Sequence, residues 1–428
     1  MVELDVYLGS GLVGRVAGDQ DQVRFQYIPE WVAREGVDIA RVLPLQSEPL
    51  PPGPTRAFFD GLLPEASLRE VLARDWGVDP LDTWALLAAI GRESAGAITI
   101  LPAGEALPSK GAVNWLTEDG LAEAIRRLPV APLASDPSSP VRVSLGGVQD
   151  KLVLVHDGER WGLPHPGTPS THIAKPDPER DWLPHLAVNE HVSTHWMSLI
   201  GLPAATTSLL TVAGRRVLIS ERFDRSGSWP DVERLHQEDF AQLTGRLSIH
   251  KYEQHGGPGV AECLQTISER SANPVADRRA FVETVWANTL LGNADAHAKD
   301  YALLLTQRAW RLAPAYDVLC TLAYEHVDHR SAMRLDGRDS GRMTDPDHLN
   351  GDQLSRAFEQ WGYRGAGRRR LARRLAELAE VAIDVATPEH LPDTELTDRE
   401  QQHVGLLSRE IRRRAGALAG AASAATRT

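Results

Sequence analysis

The strongest constraint in this sequence is a change of hydrophobic period partway along it. In the first half, short alternating apolar runs are broken by glycine: residues 4–8 and 13–16 flank Gly9 and Gly11, and residues 208–212 and 216–220 flank Gly214. That spacing belongs to half-buried strands joined by tight turns. Further on, residues 281–291, 371–383 and 404–418 each repeat apolar side chains every three or four positions, the period of helices packed on one face. A chain that segregates the two patterns is expected to be α+β.

Finer divisions follow from local composition. Residues 62–73 and 83–90 have helical spacing beside the first hairpin, so residues 1–105 are expected to form a small α+β module. The stretch 129–140, rich in Pro, Ser and Asp, reads as a linker inside a connecting segment 106–140. A β-rich lobe is expected over 141–225 and an all-α lobe over 226–428, with the tail after Ala419 fraying.

Composition removes several classes of protein. The 428 residues leave room for two or three packed units. Only two cysteines occur, Cys263 and Cys320, without a C-x-x-C spacing, which excludes a disulfide framework or structural zinc site and suits a reducing cytoplasm. Glu3 and Asp5 among the opening apolar residues indicate a strand, not a signal peptide. No apolar run reaches the roughly 18 residues of a membrane span. A net charge of −12 argues against wholesale nucleic-acid binding.

The most informative segment is Gly292-Asn293-Ala294-Asp295-Ala296-His297-Ala298-Lys299-Asp300, expected to follow a helix over 279–291 and to precede a hairpin over 301–313. Ala315-Tyr316-Asp317 comes next. Phosphoryl transfer needs a carboxylate that positions the attacking hydroxyl and takes its proton, and hard oxygen ligands that hold Mg²⁺ against phosphates. The kinase catalytic loop spaces base and metal ligand five residues apart, as Asp295 and Asp300 are, and places a second metal-binding aspartate after a short hairpin, as Asp317 is. Upstream, Lys175 ends a short β-rich run, and Asn189 and Glu190 lie on the amphipathic stretch 183–200, the order of the kinase lysine and glutamate. Glu221-Arg222-Phe223-Asp224-Arg225 follows the 208–220 hairpin, where a kinase has its hinge. Other readings of the same residues stay open: a loop of capping and turn residues, or transition-metal ligands in a hydrolase. The basic stretch 364–374 reads as a solvated helix face.

Taken in order, these motifs resemble the HipA family of toxin kinases over nearly the whole chain. Leu4-Asp5-Val6-Tyr7-Leu8, Phe58-Phe59-Asp60-Gly61-Leu62-Leu63-Pro64-Glu65 and residues 90–97 resemble its N-terminal module. Ser144-Leu145-Gly146-Gly147-Val148-Gln149-Asp150-Lys151 resembles its phosphate-binding loop, which usually ends Gln-Glu-Lys. His236-Gln237-Glu238-Asp239 resembles a family segment after the hinge.

The resemblance implies a bilobal HipA-like kinase: an ATP-dependent, cytoplasmic serine/threonine kinase toxin using Mg²⁺. Asp295 would be the catalytic base. Gly146, Gly147, Val148, Gln149, Asp150, Lys151 and Lys175 would meet the ATP phosphates. Glu221 and Phe223, with Arg222 between them, would face adenine through the backbone. His297, Lys299, Asp300 and Tyr316 would line the nucleotide site, Asp300 and Asp317 would bind Mg²⁺, and Ser144 would be autophosphorylated and so silence the enzyme. The implied partners are a helix-turn-helix antitoxin, DNA only through that antitoxin, and a protein substrate, an aminoacyl-tRNA synthetase in known relatives. One departure stands out: Asp300 replaces the family's asparagine and brings an extra negative charge toward the triphosphate. It motivates the alternative of a catalytically weak protein that binds nucleotide and antitoxin. A small-molecule phosphotransferase, such as an aminoglycoside kinase, would share the aspartate spacing but not the N-terminal module or Ser144.

Overall fold

The structure is a computed structural model that describes residues 2–19, 22–109, 111–128, 149–335, 343, 349–392 and 394–427. Two compact units are present, one of Met1–Pro176, Thr211–His250 and Ala302–Arg311, the other of Asp177–Leu210, Lys251–Tyr301 and Leu312–Thr428.

In the first unit the opening alternation builds the expected hairpin. Strands β1 (Val2–Leu8) and β2 (Gly11–Gly18) pair antiparallel and bury Leu4, Val6, Val13 and Val16. Gly9 makes the turn at φ +60°, a conformation that costs a side-chain-bearing residue. With β3 (Arg24–Tyr27) and β4 (Ile98–Pro102) they form a sheet in the order β3-β2-β1-β4. Four helices accompany it: α1 (Pro29–Ala33), α2 (Pro52–Asp60), α3 (Ala66–Trp76) and α4 (Thr83–Ile90). Phe58, Phe59, Leu72 and Leu87 from these helices share one core with Val6 and Ile100, each burial contributing roughly 1.5–3 kcal/mol. The helix expected over 62–73 starts only at Ala66, because Pro64 disfavours helical backbone at the preceding Leu63.

A six-stranded sheet follows, made of β5 (Val113–Trp115), β6 (Leu152–His156), β7 (Trp161–Pro164), β8 (His172–Pro176), β9 (Thr207–Val212) and β10 (Arg215–Glu221), in the order β5-β7-β6-β8-β10-β9. Two helices punctuate these strands: α5 (Glu118–Arg127) lies in the first unit and α6 (Leu186–Leu199) in the second. The short strands β11 (Arg225–Ser226) and β12 (Glu233–Arg234) pair with each other. A last sheet, β13 (Gln237–Asp239), β14 (Ala302–Thr306) and β15 (Ala309–Leu312), adjoins the short helix α7 (Phe240–Leu243). The two units therefore do not follow the segment limits read from the sequence. The linker 129–140 lies outside the described residues.

Charged side chains bind the N-terminal module to the β-rich part within this first unit. Glu93 Oε1 accepts from the amide and hydroxyl of Ser170 at 3.0 and 2.6 Å and pairs with Arg225 at 3.1 Å. Arg222 grips Asp224 through Nε and Nη2 at 2.9 and 2.7 Å and donates to the Ser94 carbonyl at 3.2 Å. Asp224 also accepts the Gly96 amide at 2.7 Å. Burial alone would raise both carboxyls, but the arginines hold Glu93 and Asp224 below the ordinary range. Burial and the neighbouring Arg225 pull Arg234 down to about 9.

The second unit is mostly helical: α8 (Val260–Arg270), α9 (Pro274–Leu291), α10 (Gly351–Gln360), α11 (Gly365–Val385) and α12 (Asp398–Ala425), together with α6. In α11 Leu371 and Leu375 face inward while Arg369, Arg370 and Arg373 are exposed, the expected solvated face. Thr397 and Glu400 close a capping box at the start of α12. Arg414, buried in the middle of α12, donates to the Thr289 carbonyl at 3.0 and 3.2 Å and to that of Met343. The tail does not fray after Ala419: α12 continues to Ala425, because Ala421, Ala422 and Ala425 are buried and alanine is the strongest helix former.

Candidate active site

Helix α9 delivers the aspartate loop. It ends on Gly292 at φ +74°, where a Cβ would come within 3.1 Å of Leu322 and 3.2 Å of the Cys320 sulfur, so glycine satisfies both the backbone and the packing. Past this stop, Asn293 turns inward and donates from Nδ2 to the Asn288 side chain at 2.9 Å and to the Asp317 carbonyl at 3.3 Å. The Ala294 amide donates to the Thr321 hydroxyl at 2.9 Å, and the Ala294 carbonyl accepts from the Ala332 amide at 2.8 Å. A rigid backbone thus presents Asp295, which is exposed between buried Ala294 and Ala296.

The other aspartates stand close by in the same unit. Asp300 Oδ2 accepts from the His297 amide at 2.9 Å and lies 2.9 Å from His297 Nδ1, closing a short 3₁₀ turn, 298–300. Burial, with Asp317 and Asp295 nearby, raises the Asp300 carboxyl despite its bond to His297. His297 is raised as well: burial favours the neutral ring, but the Asp300 carboxylate outweighs it. Asp317 adopts φ +53°, the left-handed region in which a non-glycine residue holds strain of roughly 1–3 kcal/mol, typical of functional sites. Tyr316 donates to the Lys299 carbonyl at 2.7 Å and joins the two halves of the site.

Among the described residues no three side chains form a ready-made metal cage. Asp300 and Asp317 nevertheless offer hard oxygens, and the Asp317 charge is one of the causes that raise Asp300, an environment that a magnesium-sized cation would relieve. Such an ion characteristically takes one or two carboxylates and completes its shell with phosphate and water.

Two supporting residues carried no local signal. Tyr252 donates to Asp295 Oδ1 at 2.8 Å from 43 positions upstream. Asn189, visible in the sequence only as a polar residue on a helix, pins the chain after Asp317 by accepting from the Cys320 amide at 2.8 Å and donating to its carbonyl at 2.9 Å and to Tyr324 at 3.0 Å.

The remaining residues singled out in the sequence belong to the first unit. Lys175 is buried near the end of β8 with Leu218 of β10 as its register partner, and Glu221, which ends β10, stands opposite His172. The Arg222 amide donates to the Thr171 carbonyl at 2.9 Å, so the chain is still held by the sheet edge as it enters Phe223. Gln149, Asp150 and Lys151 lead directly into β6. Ser144, Gly146, Gly147 and Val148 lie outside the described residues.

An exposed aspartate on a held loop with two further aspartates near it, in the helical unit, has the character of a kinase catalytic loop. Comparisons with known proteins agree. Residues 143–386 match the HipA-like C-terminal domain and residues 4–101 the HipA N-terminal domain, so the chain belongs to the HipA family. It is similar to the protein Y4mE of Sinorhizobium fredii, 34% identical over 343 residues that cover 78% of this chain and 81% of that one. The serine/threonine-protein kinase toxin HipA of Shewanella oneidensis is 28% identical over 399 residues, 89% of each chain. The structure is also similar to HipA of Shewanella oneidensis in its complex with HipB and operator DNA, with a TM-score of 0.81, 25% identity and 99% of both chains covered.

Proposed function

We propose that this chain is a serine/threonine kinase toxin that transfers the γ-phosphoryl group of ATP to a protein hydroxyl, with Asp295 as the base. The observation that carries this reading is the placement of Asp295: exposed, on a loop held from both sides, with Asp300 and Asp317 beside it in the same unit. In the transfer the acceptor oxygen bonds to the γ-phosphorus, the bond to the β–γ bridging oxygen breaks, ADP leaves, and the acceptor proton passes to Asp295. A bound Mg²⁺ supplies charge neutralisation on the phosphates, with Asp317 and Asp300 to hold it. Lys175, Lys151, Gln149 and Asp150, with the 144–148 loop, serve the phosphates. Glu221, Arg222 and Phe223 serve adenine, and His297, Lys299 and Tyr316 the nucleotide.

Regulation and partners follow from kinship. Phosphate on Ser144 adds roughly −1.5 to −2 charge to the phosphate loop and so competes with ATP. A HipB-like helix-turn-helix antitoxin restrains the kinase and carries any contact with DNA, and an aminoacyl-tRNA synthetase is the expected target class. The raised Asp300 carboxyl favours one second reading, a protein that binds nucleotide and transfers slowly. Incubation with Mg²⁺ and labelled ATP followed by peptide mapping tests both. Phosphate on Ser144 that is lost in Asp295→Ala, with the fold intact, supports the kinase. ATP binding without any incorporation supports the second reading.

A further inference from the structure

Asp295 is exposed, so packing does not hold its two carboxylate oxygens in one orientation. Among the described residues the Tyr252 hydroxyl is the only hydrogen-bond partner of that carboxylate, at 2.8 Å from Oδ1. Tyr252 is itself well held. Its ring meets the rings of His297 and His255 edge-on, with centroids 5.3 and 5.7 Å away. On one side of it the Lys251 carbonyl accepts from the Ala298 amide at 3.2 Å. On the other the Glu253 amide donates to the Ala332 carbonyl at 3.0 Å, and the Ala332 amide donates in turn to the Ala294 carbonyl. Both flanks of Tyr252 are thus tied to the backbone that brackets Asp295.

We infer that Tyr252 is the positioning residue of the acceptor-activating carboxylate: its phenol holds Oδ1 and leaves Oδ2 for the hydroxyl to be phosphorylated. The inference rests on the reading of Asp295 as the base. Tyr252 gains and loses no proton in the reaction; it narrows the orientations of the group that does. Small misplacements of reacting groups cost up to about a hundredfold in rate, so one fixed hydrogen bond on an otherwise free side chain matters.

Tyr252→Phe removes the hydroxyl and keeps the ring packing. The test measures self-incorporation of phosphate from labelled ATP, its rate at saturation, the ATP concentration at half-saturation and the melting temperature. The expected result is a rate at least about tenfold lower, with half-saturation within about twofold and melting unchanged. An unchanged rate in Tyr252→Phe while Asp295→Asn is inactive would overturn the inference and leave the kinase reading standing. A parallel drop in melting temperature would overturn it too, by making the tyrosine a structural residue. Full activity in Asp295→Asn would instead remove the base assignment itself.

Discussion

At the scale of single residues, Asp300, which stands where the resemblance implies an asparagine, is where the structure adds most. Its Oδ2 is committed to His297, which would leave Oδ1 for a metal ion. Asparagine would still accept the His297 amide but would remove a negative charge beside Asp317 and Asp295. We expect Asp300→Asn to tighten binding of Mg²⁺-ATP roughly tenfold, a change of about 1.4 kcal/mol, measurable by calorimetry. Weaker binding in that variant would mean that the carboxylate is needed as a metal ligand. The same substitution removes the charge that raises His297, so the ring should titrate lower, which NMR of its ring protons would follow.

Between elements, the buried ions that join the loop after α4 to the end of β10 set a different kind of expectation. Glu93 and Asp224 are held below their ordinary values of roughly 4. A depressed carboxyl stabilises the fold above its unfolded value and loses that contribution as pH falls through the folded one. Stability should therefore decline as pH drops below about 4, and the decline should be shallower in Glu93→Gln. At neutral pH that variant leaves Arg225 without one partner and should cost about 3–5 kcal/mol. Urea denaturation as a function of pH measures both; an unchanged midpoint at pH 7 would show that the arginines find other partners.

For the whole molecule, the N-terminal module and the β-rich part belong to one compact unit, although the sequence reads as a module followed by a linker. His236 meets the Ile39 carbonyl at 2.7 Å, and Glu238 accepts the Arg41 amide at 2.9 Å, so the family segment after the hinge also holds the module. A chain lacking residues 1–105 would expose these groups and would take from Arg222, Arg225 and Arg234 the partners they have in Glu93, Ser94, Gly96 and Thr99. It should aggregate or show no cooperative melting, and a soluble, cooperatively melting product would prove the module separable.

Much of this protein was legible in one dimension. The hairpin at Gly9, helix α4, the strand carrying Lys175 and the spacing of Asp295, Asp300 and Asp317 could be read because period, turn chemistry and motif spacing are local properties of the chain. Composition misled at the C-terminus, where small residues suggested fraying and burial kept the helix. What only tertiary structure decided lies between residues far apart: Tyr252 on Asp295, 43 positions away, and Glu93 on Arg225, 132 positions away. A lone tyrosine or glutamate has no pattern of its own. Its role is set by the long-range packing that brings a partner within hydrogen-bond reach and removes the water that would otherwise compete for it.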